Sequence, residues 1–199
     1  MITASLANLQ KTARYAAQRT RVPAWLRIAA IPALLAATLT GADRPEAGEY
    51  QLKAVFLFNF AKFVEWPPQT FENPHDQFTI CVAGTNPFGT SLEDEVRGKT
   101  VGNRSIAIRL VSTALEARKC QILFIPASVK RVHSLLEALL GASVLTVGEA
   151  NDFTKNGGIV QFRQTDARIR IELVPEAAER ANLRISSKLL SLATLERLP

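Results

Sequence analysis

Two periods of apolar and polar residues alternate along this chain, and the switches between them mark its elements. From Glu46 to Trp66 the pattern predicts one helix, opened by the polar stretch Asp43-Arg44-Pro45 and stopped by Pro67 and Pro68, because consecutive prolines cannot continue a helix. Between Ala54 and Val64 only Asn59 and Lys62 interrupt the apolar residues Val55, Phe56, Leu57, Phe58, Phe60, Ala61 and Phe63. A helix that is apolar nearly all round has to be covered on more than one side. Two coverings meet that need: the domain's own core alone, or core on one side and a partner protein or second subunit on the other. Phe56, Phe60 and Phe63 recur at spacings of four and three, share a face, and are the candidate partner or dimer contacts.

After a polar loop around Asn73, Pro74 and His75, short β-rich segments alternate with helical ones, the pattern of an α/β sheet. Strands are predicted at Phe78–Ala83, Ser105–Val111, Ile122–Ile125, Val144–Val147, Ile159–Arg163 and Arg168–Leu173. Helical segments are predicted at Ser91–Val96, Ser112–Arg118 and Val129–Leu140; in the last, Val132, Leu135, Leu136, Leu139 and Leu140 recur at helical spacing. Gln164, Thr165 and Asp166 are a link short enough for an antiparallel hairpin, so the sheet should be mixed. Pro175 opens a further helix, with Glu176 and Glu179 near its positive end, and a final helix is expected over Ser187–Leu198. The expected fold is a single α/β domain, a mixed β-sheet flanked by helices.

The chain's 24 Lys and Arg against 18 Asp and Glu give a net charge of +6, but the excess is not evenly spread. Lys11, Arg14, Arg19, Arg21 and Arg27 all precede an apolar run from Ile28 to Leu39, no acidic residue occurs before Asp43, and the run closes in Thr40-Gly41-Ala42. That is the signature of a secretory signal peptide cleaved after Ala42; an uncleaved membrane anchor is the alternative, although the run is about half of the ~20 residues needed to span a bilayer. Removing those five cations from the 24 leaves 19 against 18 acids, so the exported domain 43–199 is nearly neutral. Such a domain lacks the basic stripe of a nucleic-acid reader. Its length suits one self-sufficient core, and no direct membrane span is expected after cleavage.

Little of the chain has the look of chemistry. The two histidines, His75 and His133, lie far apart with no Cys, Asp or Glu at ligand spacing, so no metal is expected. Glu93, Asp94 and Glu95 are consecutive and point in different directions from a helix, which makes them a solvated face rather than converging carboxylates. The turn Gly84-Thr85-Asn86-Pro87-Phe88-Gly89 sits between strand and helix like a phosphate loop, yet it matches neither nucleotide-binding pattern and Pro87 removes an amide donor. Gly157 and Gly158 read as a tight turn using positive φ. No catalytic residue and no cofactor are expected. Cys81 and Cys120 form no CxxC pair; they are either bridged, closing a loop worth on the order of 4 kcal/mol, or buried as free thiols.

The segments Lys53-Ala54-Val55-Phe56-Leu57-Phe58-Asn59-Phe60 with Trp66-Pro67, Ile80-Cys81-Val82-Ala83-Gly84 with Pro87-Phe88-Gly89, and Cys120-Gln121-Ile122-Leu123-Phe124-Ile125 resemble the YfiR family. So do Leu145-Thr146-Val147 with Phe153, Gly157 and Gly158, and Leu183-Arg184-Ile185-Ser186-Ser187-Lys188-Leu189-Leu190, so that the resemblance runs from about Tyr50 to the C-terminus. It implies a periplasmic α/β protein, prone to dimerise, that restrains an inner-membrane diguanylate cyclase through the cyclase's periplasmic region and so controls cyclic-di-GMP. The family's cysteine pair is similar in context and separation to Cys81 and Cys120, which implies a disulfide here; a further pair found in some members is absent. The expected function is therefore a periplasmic, non-enzymatic regulator binding a membrane signalling protein. A periplasmic small-ligand sensor is the alternative, and an exported enzyme comes third.

Overall fold

The computed structural model describes residues 45–165 and 168–197; the expected leader and Asp166 of the hairpin link lie outside them. Helix α1, Pro45–Phe63, is followed by the two-residue strand β1, Val64–Glu65, and a 3-10 turn at Pro68–Thr70. The main sheet then begins with β2, Phe78–Ala83, and continues through α2, Ser91–Val96, β3, Thr100–Val101, β4, Arg104–Val111, α3, Ala114–Ala117, and β5, Ile122–Ile125. Helix α4, Val132–Ala138, leads to β6, Leu145–Gly148, β7, Val160–Thr165, and β8, Arg168–Leu173. The chain closes with α5, Pro175–Arg180, β9, Arg184–Ile185, α6, Ser187–Leu190, and β10, Thr194–Leu195.

The sheet is mixed, as the hairpin signal required, in the order β10-β8-β7-β6-β5-β2-β4-β3. Its centre, β4-β2-β5-β6-β7, is parallel throughout, while β7 and β8 pair antiparallel from Val160↔Leu173 to Thr165↔Arg168. Numbered from β2, the parallel strands stand in the order second, first, third, fourth, fifth, which is the doubly wound arrangement with its switch between β2 and β5. Alternation along the strands splits the interior into two cores. Phe78, Ile80, Val82, Ile122, Phe124, Leu145, Val147, Val160 and Phe162 face α1, α2 and α5, whereas Cys81, Ala83, Leu123 and Ile125 face α3 and α4.

The two cysteines are bridged, with Cα atoms 6.0 Å apart across a separation of 39 residues. The bridge ties the middle of β2 to the turn between α3 and β5, inside the second core. The other end of α3 is fixed by a capping box: the Thr113 hydroxyl accepts from the Glu116 N–H, and the Glu116 carboxylate accepts from the N–H groups of Ser112 and Thr113. Those backbone donors, the Ser112 N–H foremost, hold the Glu116 carboxyl below its ordinary pKa.

Three expectations are corrected. The first helix ends at Phe63 because Val64 and Glu65 pair with Ile185 and Arg184, and an inter-segment ladder satisfies their backbone better than another half turn before Pro67. The expected helix Ser187–Leu198 stops at Leu190, since Thr194 and Leu195 leave it to pair with Glu172 and Leu173 and cover the outer edge of β8. Gly158 does not serve positive φ; only Gly157 does, at +96°. The reason for glycine at 158 is contact: a Cβ there would stand 2.1 Å from the Phe153 ring, and one at Gly148 would stand 2.3 Å from it. Phe153 is fully buried between the two, so its ring has nowhere to move. Gly158→Ala is therefore expected to cost at least about 1–3 kcal/mol, read as a shift in the urea midpoint; a change under about 0.5 kcal/mol would show that the ring can repack.

Candidate functional site

Helix α1 separates into two faces. Lys53, Ala54, Leu57, Phe60, Ala61 and, just beyond the helix, Val64 are buried at spacings of one, three and four, the stripe that lies on the sheet. On the far side Leu52 and Val55 are 44% and 37% exposed, and Phe56, Asn59 and Phe63 are half-buried beside them. Residues 52, 55, 56, 59 and 63 recur at helical spacing, so this outward stripe is continuous and carries one polar group, Asn59.

The three phenylalanines singled out from the sequence do not share one environment. Phe60 is fully buried, its ring 5.9 Å from Phe162 and stacked on Phe56 at 6.4 Å, so it belongs to the core beneath the stripe. Phe56 spans both settings, touching Phe162 at 5.9 Å while remaining partly open. Phe63 is partly open too, with the Lys188 ammonium 4.8 Å from its ring centre. Phe58, at the opposite margin, is overlaid by Lys99 at 4.6 Å and Lys62 at 5.4 Å. Lysines spread over the aromatic rims reduce the apolar surface shown to water without removing it.

The first turns of α1 close a cleft of about 600 Å³ at the carboxyl ends of β6 and β7, lined by Tyr50, Glu149, Asn151, Gln161, Arg163 and Thr165 among others. Here Lys53, 5% exposed, bridges Glu49 on its own helix and Glu149 at the end of β6, while its ammonium stands 4.5 Å above the Tyr50 ring. Glu149 also accepts from the Tyr50 hydroxyl and the Ala127 N–H, each at 3.3 Å. Across the cleft Arg163 is paired bidentately with Glu172. The hydrogen bond and charge attraction of that carboxylate push the Arg163 pKa up. The cleft lies at the carboxyl ends of the strands but away from the switch between β2 and β5 where doubly wound sheets hold ligands, and its charged groups are engaged in ion pairs. What the arrangement does chemically is lock α1 onto the strand ends. None of these residues was given a site role from the sequence, although Lys53 opens a segment of the family resemblance and Glu49 and Lys53 at i, i+4 were a visible pair.

Other polar candidates are placed as solvent-facing or structural groups. His75 is exposed, and His133 stands 3.3 Å from Glu137 on the outer face of α4. Asp94 and Glu95 turn to different cations, Arg97 and Lys99, each at 2.5 Å. In the turn after β2, Asn86 accepts from the Phe88 N–H at 2.9 Å and donates to the Gly89 carbonyl at 3.1 Å, which closes the loop on itself. Its product is the buried ring of Phe88, set against Phe124 at 4.8 Å and Tyr50 at 5.3 Å. No cluster of three metal-ligating side chains occurs among the described residues.

The chain is a doubly wound α/β domain whose first helix is apolar on two faces, with an internal disulfide and a self-closed polar turn after β2. The YfiR/HmsC-like family, DUF4154, matches residues 50–194, and the chain belongs to that family. Membership supports the general class of periplasmic, regulatory, non-catalytic proteins of cyclic-di-GMP signalling. No curated protein matches the chain. Among the described residues no helix is long and apolar enough to cross a membrane.

Proposed function

We propose that the chain is exported by its first 42 residues, is cleaved after Ala42, and acts in the periplasm as a non-enzymatic regulator. Its domain, 43–199, binds the periplasmic region of an inner-membrane signalling protein, a diguanylate cyclase, and restrains cyclic-di-GMP synthesis. The observation that carries this reading is the outward stripe of α1: apolar residues held on a rigid helix whose opposite face is buried and whose first turns are clamped by Lys53. Phe56 and Phe63 are the contacts the stripe shares with the sequence expectation, and Phe60 belongs to the core rather than to the contact surface. A small-ligand sensor remains the alternative, but the strand-end cleft does not favour it, since its charged groups Lys53, Glu49, Glu149 and Arg163 are already held in ion pairs.

Val55→Asp tests the proposal. The side chain is exposed, so the variant should fold with unchanged unfolding temperature, while burying a carboxylate in the interface should weaken association with the periplasmic region of the cyclase by tenfold or more. Calorimetric titration of the purified proteins measures it. Unchanged affinity would remove the stripe from the interface, and loss of self-association alone, by light scattering, would assign it to a homodimer instead.

A further inference from the structure

The opposite end of the sheet, at the amino ends of β2 and β5, carries a second cleft that no part of the regulator proposal uses. Two adjoining hollows of about 590 and 270 Å³ share Thr70, Arg118, Lys119 and Gln121 in their walls, and the larger adds Thr79 and Arg109.

The floor of this cleft holds hydrogen-bonding groups that the protein does not satisfy. Gln121 is 4% exposed and fixed at every other polar atom: its N–H donates to the Thr79 carbonyl at 3.0 Å, its carbonyl accepts from the Trp66 indole at 3.1 Å and from the Leu145 N–H, and its Oε1 accepts from the Thr79 N–H at 2.6 Å. That last bond fixes the amide orientation and leaves Nε2, a pure donor, without a protein partner among the described residues. The Thr70 hydroxyl is the one fully buried side-chain polar atom without a hydrogen-bond partner among the described residues, whereas Gln121 Nε2 and the Thr79 hydroxyl, also without a protein partner there, still reach the open cleft. A buried polar group left open in a native structure calls for a ligand or water, and the two accessible groups beside it can bind the same one.

The rim decides the sign of what fits. Arg109, Arg118 and Lys119 make no ion pair among the described residues; Arg118 spends one nitrogen on the neutral carbonyls of Ala138 and Leu140, at 2.8 and 3.3 Å, which fixes its guanidinium without cancelling its charge. Glu72, His75 and Asp76 line the larger hollow too; the Asn73 N–H holds the Asp76 carboxylate at 2.7 Å without cancelling its charge, so the three cations outnumber the two carboxylates. Three unneutralised cations over a floor of spare donors are complementary to an oxyanion. The bridged Cys120 lies between Lys119 and Gln121 and holds both in place.

We propose that this cleft binds a small oxyanion, a carboxylate or a phosphate, at Gln121, Thr70 and Thr79 with Arg109, Arg118 and Lys119 as its charged rim. The proposal does not rest on the cyclase reading. Inorganic phosphate and succinate are titrated separately into the purified protein at low ionic strength by calorimetry. Saturable one-to-one binding of phosphate alone, succinate alone, or both supports the site and tells which oxyanion it takes. Lys119→Ala and Arg109→Ala, exposed and without effect on folding, should each weaken binding about tenfold. Gln121→Glu keeps the acceptor for the Thr79 N–H, replaces the donor with negative charge, and should abolish binding. Should Gln121→Glu fail to fold, the two surface variants decide. No saturation by either probe below about 10 mM, or binding unchanged in both surface variants, would overturn the site.

Discussion

Phe60→Ala is expected to lower the unfolding free energy by about 3–5 kcal/mol while leaving affinity for the partner unchanged per folded molecule. The side chain is fully buried, stacked between Phe56 and Phe162, and those rings continue through Phe162 to Phe124, 6.4 Å away, and on to Phe88. Truncating one member of a packed aromatic row removes its transfer free energy and leaves a cavity that fully buried neighbours cannot close. For a domain of this size the loss should appear as a fall of about 10 °C or more in the unfolding temperature. Val55→Asp is the complementary case, with affinity lost and stability kept. A Phe60→Ala protein that unfolds within about 1 kcal/mol of the parent and binds its partner poorly would move Phe60 from the core to the interface.

The strands of the central sheet were legible in the sequence because those at its middle are nearly continuous apolar runs and those toward its edges alternate apolar with polar residues, each between turn residues. Phe78–Ala83, Ile122–Ile125 and Arg168–Leu173 come out at their predicted bounds, as does helix Ser91–Val96. The antiparallel β7–β8 pair was legible from the short polar stretch Gln164-Thr165-Asp166, although Gln164 and Thr165 are themselves in the ladder, paired with Ile169 and Arg168. What sequence pattern did not show was pairing between distant short segments. β1 with β9 and β10 with β8 are two-residue ladders, too short to carry a period, and each takes residues that helical spacing would have assigned elsewhere. Buried polar groups were missed for a similar reason. Lys53 stands at the margin of an apolar run, and Gln121 precedes a strand; nothing local tells that the first meets Glu149, 96 residues on, or that the second is fixed by Thr79. The all-round apolarity of α1 was legible, but the division of its phenylalanines was not, because spacings of four and three place Phe60 on the flank of the stripe and only the packed sheet decides which flank is covered.

Lys53→Met is expected to cost about 3–5 kcal/mol, as much as a core truncation, although methionine is apolar and of similar length. The ammonium lies between two carboxylates, and their side chains are 19% and 8% exposed at Glu49 and Glu149. Without it, Glu149 retains only neutral donors, the Tyr50 hydroxyl and the Ala127 N–H, and faces a second carboxylate with no counter-charge between them. The penalty is that of an unpaired buried charge rather than the net worth of the ion pair, so it should be reversible by removing the charge. Adding Glu149→Gln to Lys53→Met should recover more than half of the loss, a coupling that urea denaturation of the four proteins in a double-mutant cycle measures directly. A loss under about 1 kcal/mol, typical of exposed pairs, would mean that the cluster does not clamp α1. The functional consequence follows from the same geometry. Lys53 lies on the buried face, away from Leu52, Val55, Phe56 and Phe63, yet it holds the turns that present them. Partner affinity per folded molecule should therefore fall in Lys53→Met and return with Glu149→Gln, whereas in Phe60→Ala it should not change at all.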